Sequence, residues 1–327
     1  MRAQFFTRAL WLLVWMPSCT KAEETMDVEP IPSDSSASSD TQDVATDDTG
    51  TDPATSTPPG PCLDWAEPQI RATVADPTLD EISGMAVSRI NPGVIWVHED
   101  SGSEPTLTAI NTDGVTVATV TLTGTDSTDW EDMARAPCGA TDCLWIGDFG
   151  DNGNARTDIQ LLRIEEPTLA GTETELNASP SVFPFRYPEG PQDAEALVVN
   201  GSGQPFVLTK RTDTTSRIYR VPIDGSEVAT RVSTVTIGEV EGLPTAVTAA
   251  DFWPNANRLL IRAYLQSIEL QLGDTGIEGA ETASSTPIIT GLELQGEAIA
   301  YDPNEPNIWH VSEGINPSLW VISCADE

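Results

Sequence analysis

Five short apolar runs in this chain each open on a side chain that carries oxygen: Ser83, Glu131, Glu195, Thr248 and Glu297. If these positions face one another, three carboxylates and two hydroxyls meet at one place. Three carboxylates that close cannot all stay ionised, so they take up either protons or a cation. Donors that are all oxygen, with no His or Cys, suit a hard cation, and Ca2+ accepts many oxygens at looser geometry than Mg2+. We therefore expect Ca2+ to be held by Ser83, Glu131, Glu195, Thr248 and Glu297, with backbone carbonyls and water completing the shell. In the competing arrangement each carboxylate hydrogen-bonds to neighbouring strand amides and the five never meet.

A second polar set follows the next apolar run of each unit: His98, Glu99 and Asp100; Asp148, Asp151 and Asn152; Lys210 and Arg211; Tyr264; and Glu313. These residues would form a rim around the cation. In a hydrolase, Asp100 or Asp148 would act as the base, and Lys210 and Arg211 would hold an anionic group. His98, Asp151, Asn152, Tyr264 and Glu313 would line the ligand. Plainer readings compete: the Gly/Asp/Asn run 147–154 also suits a tight loop, and a His near a strand end is commonly structural. No zinc cluster, phosphate loop, dinucleotide fingerprint or GxSxG elbow occurs.

Strands must position these residues, because no long helical pattern appears between 62 and 324. The chain there alternates runs of Val, Ile, Leu, Trp and Thr with Gly, Pro, Asn and Asp. The runs repeat. Ile82–Val87, Trp130–Ala134, Ala194–Val198, Val247–Phe252 and Gly296–Ala300 are each followed by a turn and a bulkier run. The oxygen-bearing residues lie 48, 64, 53 and 49 positions apart. Such spacing suits four-stranded blades, and small residues suit the strand that crowds an axis. Third strands are read at 159–164, 217–221, 267–272 and 318–323. The fifth unit lacks a fourth strand, which 69–74 can supply. The expectation is an all-β, five-bladed β-propeller whose ring is closed by an N-terminal strand, with six blades as the alternative if the interval 131–195 hides one.

Five cysteines bear on closure. Cys138 and Cys143 bracket a short turn, and Cys62 and Cys324 stand at the two ends of the repeat region, so we pair them accordingly. Cys19 is set apart. It follows a start with two arginines, the apolar run Ala9–Met16 and Pro17-Ser18, which reads as a secretory signal with a lipobox-like cysteine. The apolar run is too short to cross a bilayer, which takes ~20 residues. The organisation expected is a signal over 1–19 with lipidation at Cys19, a disordered acidic Ser/Thr/Pro linker over 20–60, and the propeller over 61–327. The protein would be exported and lipid-anchored to the bacterial cell envelope, or secreted if Cys19 carries no lipid.

Charge narrows the partners. With 51 acidic against 16 basic residues and a net charge of −35, the chain lacks the basic face that nucleic acid requires. Anionic lipid is disfavoured for the same reason, leaving the N-terminal lipid as the membrane contact. A small molecule or protein partner and a monomeric state are expected.

The order Ser, Glu, Glu, hydroxyl, Glu at the blade starts resembles that of the calcium-activated nucleotidases (apyrases). Glu81-Ile82-Ser83-Gly84, Leu144-Trp145-Ile146-Gly147-Asp148-Phe149-Gly150 and Phe252-Trp253-Pro254 are similar to motifs of that family's first, second and fourth blades. The resemblance covers residues 81–300 and implies a five-bladed propeller, one axial calcium held by the five ring positions, and phosphate-contacting basic residues such as Lys210 and Arg211. The stretch Val97–Gly102 departs from it, being acidic where those enzymes carry a basic residue. Asp129-Trp130-Glu131-Asp132, Gly147–Asn152 and Asp193–Leu197 also resemble strings of uncharacterised exported bacterial propellers, which imply a fold but no activity. Two functions follow as expectations: a surface-tethered, calcium-binding propeller that binds a ligand or partner, or a calcium-dependent hydrolase of phosphoanhydrides or other esters.

Overall fold

The structure is a computed structural model that describes residues 62–325 apart from 170–173, 241–242, 292 and 294. The signal-like start, Cys19 and the linker lie outside the described residues. Five sheets carry the expected repeat. Their inner strands are Ile82–Val87, Trp130–Cys138, Ala194–Val199, Val247–Trp253 and Gly296–Tyr301. Each blade runs outward from its inner strand by antiparallel hairpins. Gln160–Glu165, Thr215–Arg220, Gln266–Gln271 and Ser318–Ser323 are the third strands, within two residues of the expected ranges.

The sequence pattern explains why the blades stack. A blade flanked on both sides must bury both faces of its inner strands, so those strands read as unbroken apolar and small residues. Ile82–Val87, Ala194–Val199 and Gly296–Tyr301 are buried at every position. The core accordingly divides into five apolar layers, one between each pair of neighbouring blades. Trp96, Leu107, Trp130 and Leu144 belong to the layer between blades 1 and 2, and Trp145, Leu197, Val207 and Tyr219 to the next. The last layer joins blade 5 back to blade 1 through Ala298, Val311, Ile82 and Val97.

Closure follows the expected route. Gln69–Thr73 is the outer strand of blade 5 and pairs antiparallel with Ser318–Ser323. Cys62 is bonded to Cys324, with Cα atoms 5.5 Å apart, and Cys138 to Cys143. Among the described residues the long 131–195 interval holds no sixth blade. Part of it, Glu175–Ala178, leaves blade 2 and adds a parallel fifth strand to the edge of blade 1 beside Thr116–Leu122, and the chain then returns as Ser181–Pro184, the outer strand of blade 2.

Candidate functional site

Every inner strand carries a register shift near its start, and in each the skipped position is the residue singled out from the sequence. Ser83 falls between Ile82 and Gly84, Glu195 between Ala194 and Ala196, Thr248 between Val247 and Ala249, and Glu297 between Gly296 and Ala298. In blade 2 the shift takes in both Glu131 and Asp132. A bulged residue leaves the ladder and its side chain is re-aimed. Repeated five times around an axis, the bulge turns one side chain per blade toward the same end.

The five occupy equivalent bulges, but they are not used alike. Both hydroxyls bridge to the next blade: Ser83 donates to the Glu131 carbonyl, and Thr248 to the Gly296 carbonyl at 2.7 Å. Glu195 is ion-paired with Lys210, a rim residue in our sequence reading that instead enters the ring. No donor among the described residues reaches the Glu131 carboxylate, and Glu297 Oε2 is buried without a partner. Burial, with the neighbouring Glu195, Asp100 and Asp129, holds Glu131 well above the ordinary carboxyl range. Burial and the neighbouring Glu195 push Glu297 up to about 9. Glu195 is lifted to about 7 by burial, against the opposing pull of Lys210.

Asp129, which sequence reasoning passed over, completes a tighter group. Asp100, Asp129 and Glu131 offer carboxylate oxygens that all lie within 4.8 Å of one another. Gly150 walls this group: a Cβ there would lie 1.9 Å from Glu131 Oε1 and 2.7 Å from Asp129 Oδ2. That contact accounts for a glycine in the Asp148-Phe149-Gly150-Asp151 string. Gly150→Ala should displace both carboxylates and, because the atoms it meets are side-chain ends that can move aside, lower the unfolding midpoint by about 2–4 °C, the low end of overpacking at about 1 kcal/mol. A midpoint unchanged in differential scanning calorimetry would show that the wall is not tight.

The remaining rim residues divide. His98 is 1% exposed, sits against Gly84 and meets Trp130 edge-on at 5.4 Å. Burial holds it near 4, so it is neutral and structural. Glu99 accepts the amides of Asp80 and Glu81, and burial pushes it up to about 7. Asp148 accepts Arg156 at 2.9 Å and the Asp129 amide at 3.2 Å on Oδ1, and Gln160 at 2.9 Å on Oδ2, so three of its roughly four acceptor sites are used within the protein. Asp151 accepts the amides of Ala155 and Arg156, so the 147–154 run is held by loop chemistry, and Asn152 is exposed. Arg211 pairs with the exposed Asp213. Tyr264 lies under the Lys210 ammonium at 5.2 Å, and Glu313 accepts Gln295 at 2.7 Å.

A second buried group lies beside Glu297. Arg262, whose side chain is 1% exposed, pairs with Glu293, which also accepts His310 Nδ1 at 2.9 Å. Arg262 tucks against Gly296, where a Cβ would meet it at 2.2 Å. Deeper along the axis, Asp132 is fully buried and its Oδ2 accepts the Leu197 amide at 2.8 Å and the Ala250 amide at 3.1 Å. One carboxyl thus ties the inner strands of blades 2, 3 and 4.

No family model matches the chain, and no curated protein matches it. Among solved structures it is similar to the PQQ-bound aldose sugar dehydrogenase of Streptomyces coelicolor, at 12% identity and a TM-score of 0.48 over 82% of this chain and 99% of that one. It is also similar to the Malassezia sympodialis allergen Mala s 1, at 11% and 0.46 over 78% and 95%. The β-propeller domain of Cps50 (Swd1) from Myceliophteria thermophila is similar at 11% and 0.38 over 73% and 82%. None of these likenesses brings an activity to this chain.

Proposed function

We propose that the protein is a cation-binding propeller, with a hard divalent ion of the calcium type held by Asp100, Asp129 and Glu131 where the inner strands begin, and with a ligand or partner received at that end of the axis. The observation that carries this reading is the meeting of those three carboxylates, with no hydrogen-bond donor among the described residues on the Glu131 carboxylate. Charge supports it. Asp100, Glu131, Asp193, Glu195, Glu297 and Glu313 cluster around one ammonium, Lys210, while Arg156, which also acts on Asp129, is bonded to Asp148, and Arg262, which also acts on Glu297, to Glu293. Such a group needs further positive charge or protons to persist. An oxygen-only donor set favours Ca2+. We also place the protein outside the cytoplasm, tethered through Cys19. The signal-like start and the two disulfides support that location.

The hydrolase reading draws on the resemblance to calcium-activated nucleotidases, yet the two cations it would turn on phosphate, Lys210 and Arg211, are both occupied by carboxylates. Binding is therefore preferred over turnover. Calorimetric titration with Ca2+ tests the site. Wild type should bind with a measurable heat, and Glu131→Gln or Asp129→Asn should weaken binding at least tenfold. A wild-type protein that gives no heat and no thermal shift with calcium would overturn the reading. Phosphate release from nucleoside diphosphates, with and without calcium, separates the two functions.

The pH dependence has a definite sign. A carboxyl whose folded pKa is raised keeps its proton in the fold but loses it in the unfolded chain, so the metal-free domain loses stability as pH rises. For Glu195 the loss runs from its ordinary 4.5 to about 7, and for Glu297 from 4.5 to about 9. Each group held protonated costs about 1.4 kcal/mol per pH unit over its window. In chelator, the unfolding midpoint should fall between pH 5.5 and 8, and calcium should flatten that slope. A midpoint in chelator that rises across the interval would contradict the assignment.

A further inference from the structure

The chain has two lysines, Lys21 and Lys210, against fourteen arginines. The single lysine of the propeller is the residue whose ammonium enters the acid ring. Its place is built. Lys210 follows the strand Pro205–Thr209, and its backbone amide is fixed to the Asp193 carbonyl at 3.0 Å. The side chain is only 18% exposed, its Nζ pairs with Glu195, and the Tyr264 ring lies 5.2 Å below it. Glu131, Glu297, Asp100 and Asp193 all lie within its field. Arginine would hold a carboxylate by a rigid two-pronged fork, whereas lysine offers a compact point charge on a flexible stem that can let go.

The ring is unevenly served as a result. Among the described residues, Glu195 has a cation, no donor reaches the Glu131 carboxylate, and Glu297 Oε2 is buried without a partner. Calcium takes 6–8 oxygens from carboxylates, carbonyls and water, and a carboxylate that joins Asp100, Asp129 and Glu131 replaces a neutral oxygen of that shell with a charged one. Glu195 is the bulged residue of the neighbouring inner strand, which is bonded through its Leu197 amide to Asp132, the residue after Glu131; it is the next carboxylate in line, and Lys210 holds it.

We propose that Lys210 is the specificity-determining residue of the cation site: its ammonium is a tethered competitor that withholds Glu195 until a divalent ion displaces it. The inference rests on the cation-binding reading above. It predicts discrimination as well as affinity. Mg2+ is satisfied by one or two carboxylates plus water, so releasing Glu195 benefits it less than Ca2+.

Two measurements on the full-length protein test this. Lys210 modification by an amine-acylating reagent is followed by mass spectrometry with Lys21 as internal reference, and Ca2+ and Mg2+ affinities are measured by calorimetry at constant ionic strength. Saturating Ca2+ should speed Lys210 modification at least fivefold relative to Lys21. Lys210→Met should raise Ca2+ affinity about tenfold and Mg2+ affinity less than threefold, and Lys210→Arg should lower Ca2+ affinity. If wild type binds Ca2+ while Lys210 modification stays the same or slows, or if Lys210→Met shifts both ions equally, the inference is overturned and the cation site stands. If wild type binds no Ca2+, the site itself falls.

Discussion

Replacing Asp132 with alanine should lower the thermal unfolding midpoint by about 10 °C. The carboxyl is fully buried and accepts amides from the inner strands of blades 3 and 4 as well as its own neighbour Met133. Burial drives its pKa well upward, while the three amides pull the other way. Removing it strands the Leu197 and Ala250 amides on the axis. Each buried, unsatisfied amide costs about 1–3 kcal/mol, and a domain of this size loses about 2–4 °C per kcal/mol. Asp132→Asn should fall between wild type and alanine, since the amide keeps one acceptor oxygen but turns a donor toward another donor. An alanine variant that melts within about 2 °C of wild type would remove Asp132 from the list of axial ties.

A comparable loss is expected from Cys62→Ser combined with Cys324→Ser. That bond spans 262 residues. In the chain-entropy model so long a loop corresponds to roughly 5 kcal/mol, against about 2 kcal/mol for the short loop closed by Cys138–Cys143. The midpoint should drop by about 10–20 °C in the first variant and by about half as much or less when the 138–143 pair is replaced. Hydrogen exchange should rise first in Gln69–Thr73 and Ser318–Ser323, the paired strands next to the lost bond. Equal losses from the two pairs would contradict the closure argument.

The fold was open to reading because each blade repeats one physical demand. An inner strand packed on both faces has to be small and apolar, and a bulge at its start has to carry the residue that leaves the ladder. The repeat located all five blades, and the placement of the cysteines both disulfides. The unequal use of the ring was not legible, since spacing does not reveal that the Lys210 stem bends inward while Arg211 turns to Asp213. Asp129 looked like a flank of Trp130 and gave no periodic signal. Asp132 could have been found. The residues after the five ring positions are Gly84, Asp132, Ala196, Ala249 and Ala298, and one carboxyl among four small residues marks an axial role. The strand lent to blade 1 was hidden because Glu175–Ala178 is short and faces solvent on alternate residues. The Arg262–Glu293–His310 group depends on contacts between blades 4 and 5 that no local string encodes.

The exchange of strands between neighbours also fixes an order of assembly. Blade 1 gains its fifth strand only once residue 178 has been made, and Gln69–Thr73 has no partner until Ser318–Ser323 arrives. A chain emerging from its N-terminal end therefore carries an unpaired strand for almost the whole of its synthesis, and its slowest productive contact spans nearly the full domain. Folding should thus be late and nearly all-or-none, with truncation at the last strand as damaging as truncation at the first.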